Sequence, residues 1–207
     1  MPPLVSIRQH PIQQIDVGDL PEVRSYHDIS GHRDGNCMTM PWDRVALVRL
    51  TYGAKRVVEF GINLGWTAQL LLTNCPSIED YLGIDVPPGY VPPIQAQHIE
   101  VTPEVGKWAK HDSRLRLLIR PTQDVDPADI GRRDVAFIDA DHSFAGVMRD
   151  TALARACVRP GGMIIWHDYR MPGQEPTEVN HVLDQMAYRG RPIVHVRNSW
   201  IAFEYIL

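Results

Sequence analysis

No run of about 18 apolar residues occurs anywhere in the 207-residue sequence, so no segment reads as a transmembrane helix. The opening MPPLVSIRQHPIQQID has no apolar stretch and does not read as a signal or transit peptide. Lysine is confined to Lys55, Lys107 and Lys110, which leaves no polybasic tract. With 21 basic against 25 acidic residues and a net charge of −4, nucleic acid is a poor partner, because phosphate binding calls for clustered Lys and Arg. Cysteine is scarce as well: Cys37, Cys75 and Cys157 form no CxxC and cannot all pair. A reducing, cytoplasmic setting is the expectation, with each thiol a small buried apolar group. No repeat or low-complexity segment is present. Proline is not scarce, and its concentration in VPPGYVPPI excludes regular structure across 87–93.

What remains suits one α/β domain. Residues 1–40 are polar, interrupted by Pro, Gly and His, and read as an irregular arm or lid with at most one short helix. Residues 41–207 read as the main domain. A helix is predicted over 41–52, with Pro41 in its first turn and Gly53 as its stop. Short apolar runs at 56–60, 81–85, 115–119, 135–139 and 162–167 read as buried strands, alternating with helical segments at 66–73, 102–110 and 143–158. Ser143 and Thr177 are placed as N-caps of their helices. Residues 192–196 and 200–205 form two further strands across a tight Arg197-Asn198-Ser199 turn, so that pair is antiparallel. The expected fold is a doubly wound, Rossmann-like sheet of seven strands with an antiparallel C-terminal hairpin.

The strongest local signal is VEFGINLGWTA at 58–68: a strand, two glycines four apart, then a helix. In an open α/β sheet, ligands sit at this place, at the carboxyl ends of the strands. The spacing is GxxxG and not GxGxxG, and Glu59 repels a pyrophosphate, so a dinucleotide is not indicated. Glu59 suits a cationic ligand, Gly61 the sharp turn, and Gly65 a close backbone approach. Asp85 ends the next strand, where a carboxylate accepts ribose hydroxyls; a loop-capping Asp is the alternative.

These residues resemble the class I S-adenosylmethionine-dependent methyltransferases, and more narrowly the metal-dependent small-molecule O-methyltransferases of catechol and caffeoyl type with their bacterial relatives. VEFGINLGWTA is similar to the family's E-x-G-x-x-x-G-x-[ST]-A, LLIRPTQDV at 117–125 to its adenine segment, FIDADH at 137–142 to its FIDADK, and GGMIIWHDY at 161–169 to its GG-x-hhh-x-D-N. The resemblance spans about 38–207. It implies S-adenosylmethionine as cofactor, held by Glu59, Gly61, Gly65, Thr67, Asp85, Thr122, Gln123 and Asp139. It also implies a divalent ion, Mg²⁺ or Mn²⁺, on Asp139, His167 and Asp168. Here the sequence departs from the pattern, since His-Asp stands where the family has Asp-Asn, and a softer metal or none becomes open.

His142 stands where the family often has a catalytic Lys, and an imidazole there can take a proton from a hydroxyl acceptor. His167 is the other candidate base; a helix-cap neighbour is the alternative role for His142. Trp66 and Trp166 either flank the site or belong to the core, and His27 and His32 lie in the arm within reach of a substrate. The [DNS]-P-P-[YF] pattern of amino-group methylation is absent after the fourth strand, where ADH follows Asp139. The expected partner is therefore a small hydroxylated molecule, with neither nucleic acid nor membrane involved and a homodimer left open. Three other readings stand beside it: a metal-independent methyltransferase using His142 or His167 as base, an iron-dependent oxygenase-like relative built on two carboxylates and a His, and a cofactor-binding protein without catalysis.

Overall fold

The computed structural model describes residues 12–27, 29, 39–91, 101–170, 173 and 175–207. The elements follow in the order β1 Gln13–Ile15, α1 Pro41–Thr51, β2 Arg56–Phe60, α2 Trp66–Asn74, β3 Asp80–Asp85, β4 Leu115–Ile119, α3 Pro127–Ile130, β5 Arg133–Ile138, α4 Phe144–Cys157, β6 Val158–Trp166, α5 Glu178–Tyr188, β7 Val194–Val196 and β8 Ala202–Tyr205. They build one sheet in the order β1-β7-β8-β6-β5-β2-β3-β4, in which β8 alone among these strands runs antiparallel to its neighbours.

The central strands are apolar because both faces are covered. One face packs Ala46, Leu47, Leu71 and Leu72 of α1 and α2. The other packs Val147, Ala154, Val179 and Leu183 of α4 and α5. Trp166 belongs to this core, fully buried and donating through Nε1 to Thr151 Oγ1 at 2.9 Å. Cys75 and Cys157 are buried free thiols, and burial pushes Cys75 up to about 12. Cys37 and His32 lie outside the described residues. Ser143 caps α4 by accepting from Gly146 N, and Thr177 precedes α5 in a reciprocal cap with Asn180. Among the described residues no helix is long and apolar enough to cross a membrane.

Besides the short α3 and an earlier start to β6, two differences from the sequence expectation bear on the site. The sheet has eight strands and not seven, because three residues of the first forty form β1, paired parallel to β7 in the register Gln13↔Val194. QQI carries no apolar alternation, so only its partner makes it a strand. Arg197 ties this edge down through its backbone N–H to Ile15 O and its side chain to Asp16. The second difference is at 102–110, which is a run of turns and not a helix. Two of its backbone donors are spent elsewhere, Gly106 N on Asn63 O at 2.7 Å and Trp108 N on Leu64 O at 2.9 Å.

The chain runs outward from β2 through β3 to β4 and then returns to place β5 on the other side of β2. The carboxyl ends of β2 and β5 thus form the switch point of the sheet, where ligands bind in this architecture.

Candidate active site

Asp139 follows β5 directly, and His167-Asp168 follow β6. The two strands are hydrogen-bonded neighbours, in register from Ile138 to Trp166, so these side chains emerge side by side. Asp139, His142 and Asp168 each offer a ligand atom, and the three atoms lie within 4.8 Å of one another. His142 Nε2 is 3.3 Å from Asp139 Oδ1 and 3.0 Å from Asp168 Oδ2. His167 approaches the same carboxylates with Nδ1, at 3.4 Å from Asp139 Oδ1 and 3.2 Å from Asp168 Oδ1. Its ring is buried at 3% exposure, whereas the His142 side chain is 38% exposed. Two carboxylates are therefore bracketed by one buried and one accessible imidazole.

The electrostatics follow from that packing. Burial alone raises a carboxyl, but His167 and His142 overcome it and hold Asp139 down at about 2. Burial works against charge on both imidazoles. The facing carboxylates outweigh it, raising His142 above its ordinary value and His167 well above. Asp168 sits at φ 60°, the left-handed region, which Asp tolerates better than most side chains.

The glycine loop lies beside this cluster. Gly61 takes φ 84° and donates to Ile84 O at 2.8 Å, and Gly65 takes φ 85° at the start of α2. Both glycines meet the protein's own backbone. A Cβ on Gly61 would lie 2.2 Å from Asp139 O, and one on Gly65 would lie 3.0 Å from Gly106 Cα. Trp66 stacks on Trp108 at 4.4 Å, which closes the outer wall of the loop. Asp85 accepts from Asn63 N at 2.6 Å and Val86 N at 2.7 Å, so it shapes the loop it faces. Glu59 is buried beneath the loop, accepting from Tyr81 Oη at 2.8 Å. Burial pushes its carboxyl well above the usual range, and the bonds from Tyr81 and Thr67 offset this only in part.

Residues 58–169, more than half of the chain, match the family described as a methyltransferase domain. The chain belongs to this family and is an S-adenosylmethionine-dependent methyltransferase. That assignment takes the place of the oxygenase-like and non-catalytic readings. Among solved structures, the methyltransferase resembles the O-methyltransferase NovP (TM-score 0.59, 14% identity, 92% of this chain and 93% of that one). It also resembles SAH-bound PaMTH1 from Podospora anserina (0.58, 13%, 90% and 91%) and cofactor-bound Rv0187 from MTB (0.57, 18%, 86% and 84%). At these identities the likeness is one of fold. No curated protein matches the sequence significantly.

Thr122 and Gln123 of the methyltransferase lie in a 3-10 turn after β4. Gln123 is exposed and reaches Tyr90 Oη at 3.4 Å. Thr122 is held from below by Arg149 of α4, whose Nε donates to Thr122 Oγ1 at 3.1 Å and whose Nη2 reaches Asp141 Oδ2 at 3.4 Å. Arg149 is a link that sequence reading missed, since one Arg on a helix face carries no signal. Asp141 accepts from Ser143 N at 2.9 Å at the start of α4. His27 is exposed, with its backbone bonded to Asn74 of α2.

Beside Arg149, Asp150 is fully buried with Oδ2 lacking a hydrogen-bond partner. Burial pushes its carboxyl up to about 6 despite Thr122 and Arg149. An acid whose folded pKa lies above its unfolded value favours the folded state at low pH, and that contribution is lost as pH rises from about 4 through about 6. Asp150→Asn is therefore expected to stabilise the protein at pH 8, by at most about 3 kcal/mol at roughly 1.4 kcal/mol per unit, and to leave it near wild type at pH 4.5. Urea midpoints at the two pH values check this; equal gains at both would remove the titration.

Proposed function

We propose that this methyltransferase transfers the S-adenosylmethionine methyl group to a hydroxyl of a small molecule, assisted by a divalent cation. The observation that carries the reading is the pair Asp139 and Asp168 at adjacent strand ends, with imidazole nitrogens 3.0 to 3.4 Å from their oxygens. Such spacings approximate the ligand-to-ligand edge of about 3 Å around a small cation bound at about 2.1 Å. Oxygen donors with an imidazole suit Mg²⁺ or Mn²⁺ and admit a softer ion. The residues that would hold it are Asp139, Asp168 and one imidazole. When bound, such an ion polarises an acceptor oxygen and lowers its pKa.

The chain's own groups supply the rest. A sulfonium methyl is already electrophilic, so the protein's main task is alignment of the acceptor. Asp85, at the end of β3 and bonded to the glycine loop, is placed to meet the ribose, and Thr122 and Gln123 border the adenine. Gly61 and Gly65 shape the loop on which the cofactor rests. Glu59, bonded to Tyr81, and Thr67 support that loop from within the sheet. His142, the accessible imidazole, receives the hydroxyl proton.

The test follows methyl transfer from labelled S-adenosylmethionine to a panel of phenols and sugars. Dialysis against EDTA is expected to abolish transfer, and added Mg²⁺ or Mn²⁺ to restore it. Full activity in EDTA would overturn the cation and leave His142 as a direct base. Methylation of amines but no hydroxyl would overturn the acceptor class.

A further inference from the structure

We propose that Asp43, in the first turn of α1, is a positioning residue of the active site: it holds the buried His167 ring so that Nδ1 faces the gap between Asp139 and Asp168 as a nitrogen ligand for the cation. The proposal rests on the cation reading above. Asp43 is fully buried, and both of its oxygens are engaged. Oδ1 accepts from Trp200 N at 2.7 Å, while Oδ2 accepts from Met40 N at 2.6 Å and faces His167 Nε2 at 3.5 Å. Two backbone donors, the neighbouring Met40 N and the distant Trp200 N, fix the carboxylate, so it cannot follow a rotating ring.

His167 is wedged between Phe137 and Trp200, with ring centroids 6.1 and 5.4 Å away. At 3.5 Å the Asp43 carboxylate acts on the ring by its charge and not by a hydrogen bond, and it favours the proton on Nε2 when Nδ1 binds a cation. Here Nδ1 faces Asp139 Oδ1 and Asp168 Oδ1. A cation bound between these atoms displaces the proton on Nδ1 and supplies the positive charge that the two carboxylates face. Carboxylate, histidine and metal in a row is the usual way an outer residue orients a ligand.

A helix cap alone does not account for Asp43. The bond to Met40 N uses one oxygen, and an exposed side chain performs that task. Complete burial, with the second oxygen on Trp200 and the first also facing His167, ties the start of α1 and the β7–β8 turn to the end of β6.

The experiment titrates Mn²⁺ into the full chain, reading free ion by electron paramagnetic resonance and S-adenosylhomocysteine affinity by calorimetry. Asp43→Asn is expected to weaken Mn²⁺ binding by about 10–100-fold and to leave S-adenosylhomocysteine affinity within about twofold. Pulsed measurement is expected to show imidazole nitrogen coupled to Mn²⁺ in wild type and in His142→Gln, but not in His167→Gln. Wild-type Mn²⁺ affinity in Asp43→Asn would overturn the role of Asp43 while the cation reading stands. No Mn²⁺ binding in wild type would overturn both. Should Asp43→Asn lose S-adenosylhomocysteine binding, Asp43→Ser retains an acceptor for the helix turn and replaces it; unfolding of both would make Asp43 a structural residue and sink the proposal.

Discussion

Replacing His142 with alanine is expected to slow methyl transfer by about 10²–10⁴-fold, the usual contribution of a general base. His142 is the accessible member of the bracketing pair, and its Nε2 lies within 3.3 Å of both carboxylates. Those carboxylates favour the imidazolium that forms when the ring takes up the proton. Its ring faces Asp139 and Asp168, and S-adenosylhomocysteine affinity is expected to stay at wild type. The loss therefore falls on kcat at saturating cofactor. A kcat within tenfold of wild type would exclude His142 from proton transfer.

Gly61→Ala is expected to destabilise the fold by about 3–5 kcal/mol, combining overpacking with a disfavoured backbone. The added carbon would lie 2.2 Å from the Asp139 carbonyl oxygen and 2.7 Å from Ala140 Cα. Those are backbone atoms at the end of a central strand and cannot give way cheaply. Gly53 supplies the control: at φ 91° with nothing within 4 Å of its absent side chain, alanine costs only the backbone term, about 1–2 kcal/mol. Denaturant midpoints separate the two. Equal losses at Gly61 and Gly53 would show that Gly61 is not pressed against the β5 end.

The parts of the molecule legible in the sequence are those whose signal is local. The RVVEF run, the glycine pair and the caps at Ser143 and Thr177 depend on neighbours within a few residues, and each stands where expected. The convergence of Asp139 with His167-Asp168 also followed, because both segments end strands of one parallel sheet. What escaped depends on distant partners. Gln13–Ile15 is a strand only because β7 lies beside it. The packing of Gly65 against Gly106 has no signal in the sequence either, because the 102–110 turns reach it from outside the motif. Asp43 in a helix's first turn looks like any acidic cap, and only Trp200 and His167 distinguish it. Likewise His142, read as a base beside the ligands, shares the carboxylates on the same terms as His167.

The Asp43–Trp200 bond joins residues 157 positions apart, and the Asp16–Arg197 pair joins residues 181 apart. Contacts this distant in sequence are slow to form, because the intervening loop must close first. A ribosome making this chain delivers Asp43, the glycine loop and Asp139 long before Trp200. The ends of β2 and β5 are then complete while the buried carboxylate behind His167 still lacks its second anchor. Nascent chains stalled just before β7 are thus expected to hold a shaped cofactor loop and an unfinished acidic centre, so that competence for chemistry arrives with the last part of the sheet to be synthesised.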